Sequence, residues 1–384
     1  MRFDFVTSAK IVFGGGTLKE CASLAADLGS KVLLVTGGGS VSPDSLLQSL
    51  EAKGLQYQRF QVKGEPHVST MQAGIQAAEQ FGCDMVIAMG GGSVLDTGKV
   101  IAAMLTNPGD LMDHIETIGK GQPTTNPSAP MIAIPTTSGT GSEVTKNSVI
   151  YSPEHKIKVS MRSDHMIPRI ALLDPELTHS MPPAVTASSG MDALTQLIEG
   201  YTSTAANPMT DGLAREGILR AARSLRVVYT EPENAPARED MAIASLFSGI
   251  VLTNGGLAAV HGFSGVVGGL FNAPHGALCG SLLTASMRVN IESCRQDESY
   301  APYLQRFTEI ARILTNDLNA DPMHAADWVA ETARLLHIPR LSSFGITPAD
   351  FPLIIERSRK KSHMRMNPVY MTDELMERVL ELSM

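Results

Sequence analysis

Through the first half of the chain, short apolar runs alternate with amphipathic stretches. Lys31-Val-Leu-Leu-Val-Thr36, Met85-Val-Ile-Ala-Met89 and Met131-Ile-Ala-Ile134 are continuous apolar segments of four to six residues. Such runs are the signature of strands buried on both faces of a parallel sheet. Further strands are expected at residues 3–6, 10–13, 57–61, 148–151 and 170–173. Helical periodicity between them predicts helices at about 17–28, 44–53, 69–81 and 94–105. A stretch rich in Pro, Thr and Asn (107–130) reads as a loop. Strand and helix in alternation predict an α/β domain with a parallel sheet. After Asp174-Pro175 the strand-like runs cease. Helical patterns follow at about 185–202, 208–228, 236–254, 257–270, 276–290, 300–315, 322–336, 348–359 and 373–383. The pattern therefore divides the chain into an α/β domain, 1–180, and an all-α domain, 181–384.

Three strand-to-helix turns in the first half are rich in glycine: 37–40, 90–93 and 138–142. The second of them, Gly90-Gly-Gly-Ser93, lets a ligand approach bare backbone N–H groups. The helix that follows, opening at about Val94, adds unpaired N–H groups and partial positive charge. A phosphate suits such a place. In an open parallel sheet, turns of this kind gather at the carboxyl ends of the strands, where ligands bind. None of the three is a Gly-x-Gly-x-x-Gly fingerprint, and none is a P-loop.

Composition narrows the partners. With 31 Lys and Arg against 39 Asp and Glu, net charge is −8 and no basic cluster stands out, which argues against nucleic acid and against an anionic membrane surface. No apolar run has the length of a membrane span, and the N-terminus lacks the apolar segment of a secretory signal. Four scattered cysteines (21, 83, 279, 294) form no Cys-x-x-Cys pair; they are read as small core or surface residues, and the cytoplasm as the expected location.

The helical half carries residues of metal-binding type. Asp192 and Gln196 lie one turn apart on one helix face. His261 and His275 fall on separate elements, because Asn254-Gly-Gly256 and Pro274 interrupt the helices between them. One carboxylate with two imidazoles suits Fe(II), and also Zn(II).

In order, the chain contains Gly90-Gly-Gly-Ser-Val-Leu-Asp-Thr-Gly-Lys99, Pro135-Thr-Thr-Ser-Gly-Thr-Gly-Ser-Glu143, Asp174-Pro-Glu-Leu, Gly190-Met-Asp-Ala-Leu194, Ile198-Glu-Gly-Tyr201, Pro274-His-Gly276 and Asn367-Pro368. This ordered set resembles the iron-containing (group III) alcohol dehydrogenase family over essentially the whole chain. The resemblance implies a Rossmann-like dinucleotide-binding α/β domain, an all-α metal and substrate domain, a dehydroquinate synthase-like architecture, and a nicotinamide cofactor in the cleft between the domains. It implies a pyrophosphate turn at Gly91, Gly92 and Ser93, with Asp96 as a further cofactor-binding residue. It also implies cofactor contacts at Thr136, Thr137, Thr140 and Lys158, three metal ligands at Asp192, His261 and His275, and a dimer or larger assembly.

Three departures follow from the same comparison. The family's histidine one turn after the ligand Asp is here Gln196, a neutral and poorer donor. A second family histidine, four residues after the one matching His261, is here Gly265. Many NAD-using relatives carry Asp where this chain has Gly37; Gly37, Gly38 and Ser40 remove that charge and leave room for a 2′-phosphate. The expected function is hydride transfer between NADP(H) or NAD(H) and an alcohol, aldehyde or ketone, with Asp192, His261, His275 and Lys158 as catalytic residues. A bound Fe(II) or Zn(II), held weakly or lost, would be gripped by Asp192, Gln196, His261 and His275. His363 is a candidate to carry the proton in place of the absent histidine. The competing expectations are a metal-free reductase of an activated carbonyl, a nucleotide-binding sensor or scaffold, and a lyase or synthase related to dehydroquinate synthase.

Overall fold

A computed structural model describes residues 2–384. The chain forms two compact units, Val6–Met181 and Pro182–Met384, the second joined by residues 2–5.

The first unit holds eight strands: β1 Lys10–Phe13, β2 Lys31–Thr36, β3 Gln56–Gln61, β4 Met85–Gly90, β5 Met131–Pro135, β6 Asn147–Ser152, β7 Ile157–Arg162 and β8 Ile170–Leu173. Its helices are α1 Cys21–Ala26, α2 Asp44–Ala52, α3 Val68–Phe81, α4 Gly92–Thr106 and α5 Leu111–His114. Six strands make one sheet in the order β1-β8-β5-β4-β2-β3, every pairing parallel. The apolar runs explain the burial: all six residues of β4 and five of six in β2 are buried. Alternate residues serve opposite faces. Val32, Leu34, Ile87 and Ile132 join Ala25 and Leu50 on one side, while Leu33, Val35, Val86 and Ala133 join Leu95 and Ile101 on the other. From β2 the chain steps outward to β3 and then returns to place β4 on the far side of β2. That reversal leaves a crevice between the carboxyl ends of β2 and β4, the usual ligand position in such sheets.

Five details depart from the sequence pattern, one of them the short helix α5 inside the expected loop 107–130. Residues 3–6 form no strand. The expected strand at 148–151 is β6, which leaves the parallel sheet and pairs antiparallel with β7, a strand the pattern did not announce. Helix α4 opens at Gly92 rather than Val94, because glycine at 91 takes the extended cap position. The first expected helix splits into a 3-10 turn, Thr17–Glu20, and α1.

The second unit contains α6 Pro183–Thr202, α7 Pro208–Thr230, α8 Ala235–Gly255, α9 Ala259–Phe271, α10 His275–Gln296, α11 Ala301–Thr315, α12 Pro322–Leu335, α13 Phe351–Arg359, α14 Ser362–Arg365 and α15 Asp373–Leu382. Among the described residues it has no strand. Local chemistry fixes several starts. Pro183 and Pro208 occupy first-turn positions where no N–H is needed. Asn207 and Thr210 make a reciprocal capping box on α7. One apolar cluster runs from Ala187 to Leu380 and packs these helices together. Among the described residues no single helix is long and apolar enough to cross a membrane.

Candidate metal centre and dinucleotide turn

Within the helical unit, Asp192 on α6, His261 on α9, and His275 and Cys279 on α10 bring one donor atom each to within 4.8 Å of one another. Small residues make this convergence possible. A Cβ at Gly276 would collide with the Ser188 carbonyl oxygen, and one at Gly280 would stand 3.2 Å from the Met191 Cβ. Helix α10 therefore lies close against α6, and Cys279, one turn beyond His275, shares the face turned to Asp192. Helix α9 is fixed at its start by Asn367, whose Oδ1 accepts from the Ala259 N–H at 3.4 Å.

Asp192 Oδ1 lies 3.5 Å from His261 Nε2 and 3.6 Å from His275 Nε2. Cys279 Sγ lies 3.6 Å from His275 Nε2 and 3.8 Å from His261 Nε2. Donors around a tetrahedral ion with metal–donor distances of about 2.1 Å for N and O and about 2.3 Å for S stand about 3.4–3.6 Å apart. Asp192 Oδ1 is buried without a hydrogen-bond partner among the described residues, a costly state that a cation would relieve. His261 Nδ1 meets Glu199 Oε2 at 2.6 Å, and the Val260 N–H donates to Glu199 Oε1 at 2.6 Å. This carboxylate orients the ring with Nε2 towards the cluster, the usual arrangement behind a metal-bound imidazole. The donor set fits a divalent ion.

The electrostatics agree. Burial pushes the Asp192 carboxyl up, but the charges of His275 and His261 outweigh it and hold the group below its usual range. Burial likewise opposes the Cys279 thiolate, yet the two imidazoles bring the thiol below its ordinary value. Cys21, buried without such neighbours, is pushed up to about 12. His261 is lifted well above normal: burial works against the cation, and Cys279, Asp192 and Glu199 overcome it.

Gln196 is 2% exposed, and its Oε1 accepts from the Ser248 hydroxyl at 2.9 Å. The His363 ring on α14 stands edge-on to His261, centroids 6.3 Å apart. A Cβ at Gly265 would meet no heavy atom within 4 Å. Cys279, read from the sequence as a small core or surface residue, is buried and stands among these donor atoms. The signal was present as His275-x-x-x-Cys279, one helical turn. Glu199 was visible only as part of a motif, with nothing in the spacing to pair it with His261.

In the α/β unit, the glycine turns close on one another. The N–H groups of Val94 and Leu95 both return to the Gly91 carbonyl, so the helix geometry leaves those of Gly92 and Ser93 without an intrahelical acceptor. Thr137 lies 3.5 Å from a Cβ position at Gly91, and Thr140 lies 2.9 Å from one at Gly92. The Thr136 N–H donates to the Gly90 carbonyl at 3.0 Å. Gly37, at the end of β2, would bring a Cβ to 3.2 Å from Val94 Cγ2. Gly38 is exposed beside it, and the Ser40 hydroxyl is bonded to Ser180, 2.7 Å away. Asp96 looks elsewhere: Oδ1 accepts from Ser142 Oγ at 2.6 Å and pairs with Lys99 at 2.9 Å, and Oδ2 accepts from the Val149 N–H at 2.7 Å. It ties α4 to β6. Lys158, on β7, pairs with Glu65 at 2.5 Å.

Residues 8–175 match the family profile of the iron-containing alcohol dehydrogenases, and residues 186–384 match that of the C-terminal part of the same family. The chain belongs to the iron-containing alcohol dehydrogenase family. It is an enzyme, a nicotinamide-dependent oxidoreductase of alcohols and aldehydes. It is 33% identical to a 1,3-propanediol dehydrogenase of Klebsiella pneumoniae, covering 95% of both chains. It is 31% identical to alcohol dehydrogenase 4 of Saccharomyces cerevisiae over 94% of this chain and 93% of that one. The solved structure of a 1,3-propanediol oxidoreductase superposes with a TM-score of 0.91 at 30% identity over all of both chains. A sulfoacetaldehyde reductase from Bifidobacterium kashiwanohense, solved in complex with NAD+, superposes at 0.88 with 28% identity, covering 100% of this chain and 99% of that one.

Proposed function

We propose that the chain moves hydride between NADP(H), with NAD(H) as a second choice, and the carbinol or carbonyl carbon of a small alcohol, aldehyde or ketone, assisted by Fe(II) or Zn(II). The observation that carries this reading is the Asp192–His261–His275 donor set, Asp192 and His261 buried and His275 half-buried, with Glu199 behind His261. When bound, the ion supplies Lewis-acid polarisation of the substrate oxygen, and the nicotinamide gives or takes the hydride. Asp192, His261 and His275 would hold the ion, and the Asp192 carboxylate would offset part of its charge. Gln196 contributes at most one lone pair, since its oxygen already accepts from Ser248. We assign His363, beside His261, to carry the proton to or from the substrate oxygen. The N–H groups of Gly92 and Ser93 at the start of α4 take the pyrophosphate, with Gly91 allowing close approach and Thr136, Thr137 and Thr140 flanking it. Gly37, Gly38 and Ser40 offer no carboxylate to repel a 2′-phosphate, which supports NADP(H). Lys158 would reach the cofactor by exchanging its ion pair with Glu65. A dimer through the free edge of β1, and a cytoplasmic location in keeping with four unpaired cysteines, complete the proposal.

Turnover of a panel of aldehydes and alcohols with both cofactors tests it. The expected result is hydride transfer that is faster with NADPH than with NADH and that disappears in Asp192→Ala. Undiminished turnover in that variant would defeat the metal-assisted reading.

A further inference from the structure

Building on the metal-assisted reading above, we propose that Cys279 is the fourth metal ligand, taking the place left by Gln196, and that its thiolate turns the centre from iron towards zinc. Position 196 lies one turn after Asp192 on α6, yet its oxygen is engaged by Ser248 on α8. On α10 the turn after His275 supplies a different donor. Cys279 Sγ is fully buried and stands 3.6 and 3.8 Å from the two imidazole Nε2 atoms. These separations are within about 0.3 Å of those expected between sulfur and nitrogen on a tetrahedral zinc ion. The four donors therefore come from three helices, α6, α9 and α10, with α10 providing two.

Replacing imidazole by thiolate changes the chemistry of selection. Sulfur is a soft donor that favours zinc, and zinc also stands above Fe(II) in intrinsic affinity for mixed donor sets. The thiolate adds a negative charge to that of Asp192, so a divalent ion bound here is neutralised by the protein. Zinc can take a fifth ligand during reaction, which leaves the substrate oxygen a place although four protein donors are present.

The test is reconstitution of the stripped, full-length protein with Zn(II), Fe(II) and Co(II), followed by elemental analysis and, for cobalt, electronic absorption. The expected results are tighter binding of zinc than iron and an intense thiolate-to-cobalt charge-transfer band in the near ultraviolet. Cys279→Ser should abolish the band and weaken zinc binding by more than about tenfold, the least effect expected when a group supporting a metal is lost. Adding Gln196→His to Cys279→Ser should restore binding without restoring the band. Bound cobalt lacking the band in the unaltered protein, or unchanged zinc affinity in Cys279→Ser, would overturn the assignment of Cys279 while leaving the ion itself in place. Metal content that persists in Asp192→Ala would instead remove the centre on which the proposal rests. The spectrum of the unaltered protein decides the matter even where Cys279→Ser does not fold.

Discussion

Single residues account for most of what the ordered motifs encode. Glu199 orients His261, Asn367 holds the first turn of α9, and Gly276 admits α10 to the side of α6. Asp174 accepts from the N–H groups of Gly16 and Leu18 at 3.1 Å each, joining the end of β8 to the turn after β1. Such roles depend on partners 60 to 160 positions away, so residue spacing could show that these side chains matter but not what they touch. Cys279 was hidden for a different reason: a lone buried cysteine has the same sequence appearance whether it fills space or faces an ion. Glu143 yields a prediction at this scale. It is 1% exposed, and burial pushes its carboxyl up to about 7 from 4.5, with Lys99 opposing. Between those values the folded protein retains a proton that the unfolded chain releases. Stability from this group is full below about pH 4.5 and falls as pH rises towards 7, by about 3 kcal/mol in all. Thermal melts across this range should therefore show Glu143→Gln losing that pH dependence and melting above the parent at pH 8. Parallel pH profiles for the two proteins would refute the burial account.

At the scale of elements, the apolar runs of β2, β4 and β5 and the extents of α7 and α12 were legible, because burial on both faces and helical periodicity leave local marks. The β6–β7 hairpin was not. Strand β6 was expected and alternates regularly, but β7 does not, and their pairing is set by a turn at residues 153–156 rather than by the sheet. Helix α14, four residues long, is too short to show a period. The packing of α10 on α6 determines whether the metal donors meet. Gly276→Ala would place a methyl group against the Ser188 carbonyl and force the helices apart. Chemical denaturation should report a loss of about 1–3 kcal/mol, as for other overpacked contacts. Metal affinity should fall by more than about tenfold although no donor is altered. Unchanged affinity would mean that the donor geometry does not rely on this helix contact.

For the molecule as a whole, the change of texture near Asp174 divides strand-bearing from helical sequence, and the chain separates at Met181 and Pro182. The grouping of residues 2–5 with the helical unit had no local signal, since four residues carry no pattern of their own. Each unit brings one ingredient: the first a glycine turn at the reversal of a parallel sheet, the second a four-donor cluster. The proposed function needs both, and the cluster is where Gln196 departs from the pattern the family resemblance implies. The central claim is that the ion held there makes hydride transfer possible. It is tested most directly by stripping the protein of metal and following NAD(P)H oxidation by an aldehyde as ions are returned. Activity is predicted to be absent at the start and to rise in proportion to added zinc until one ion is bound per chain. Full activity in the stripped protein, with no response to returned metal, would contradict the account.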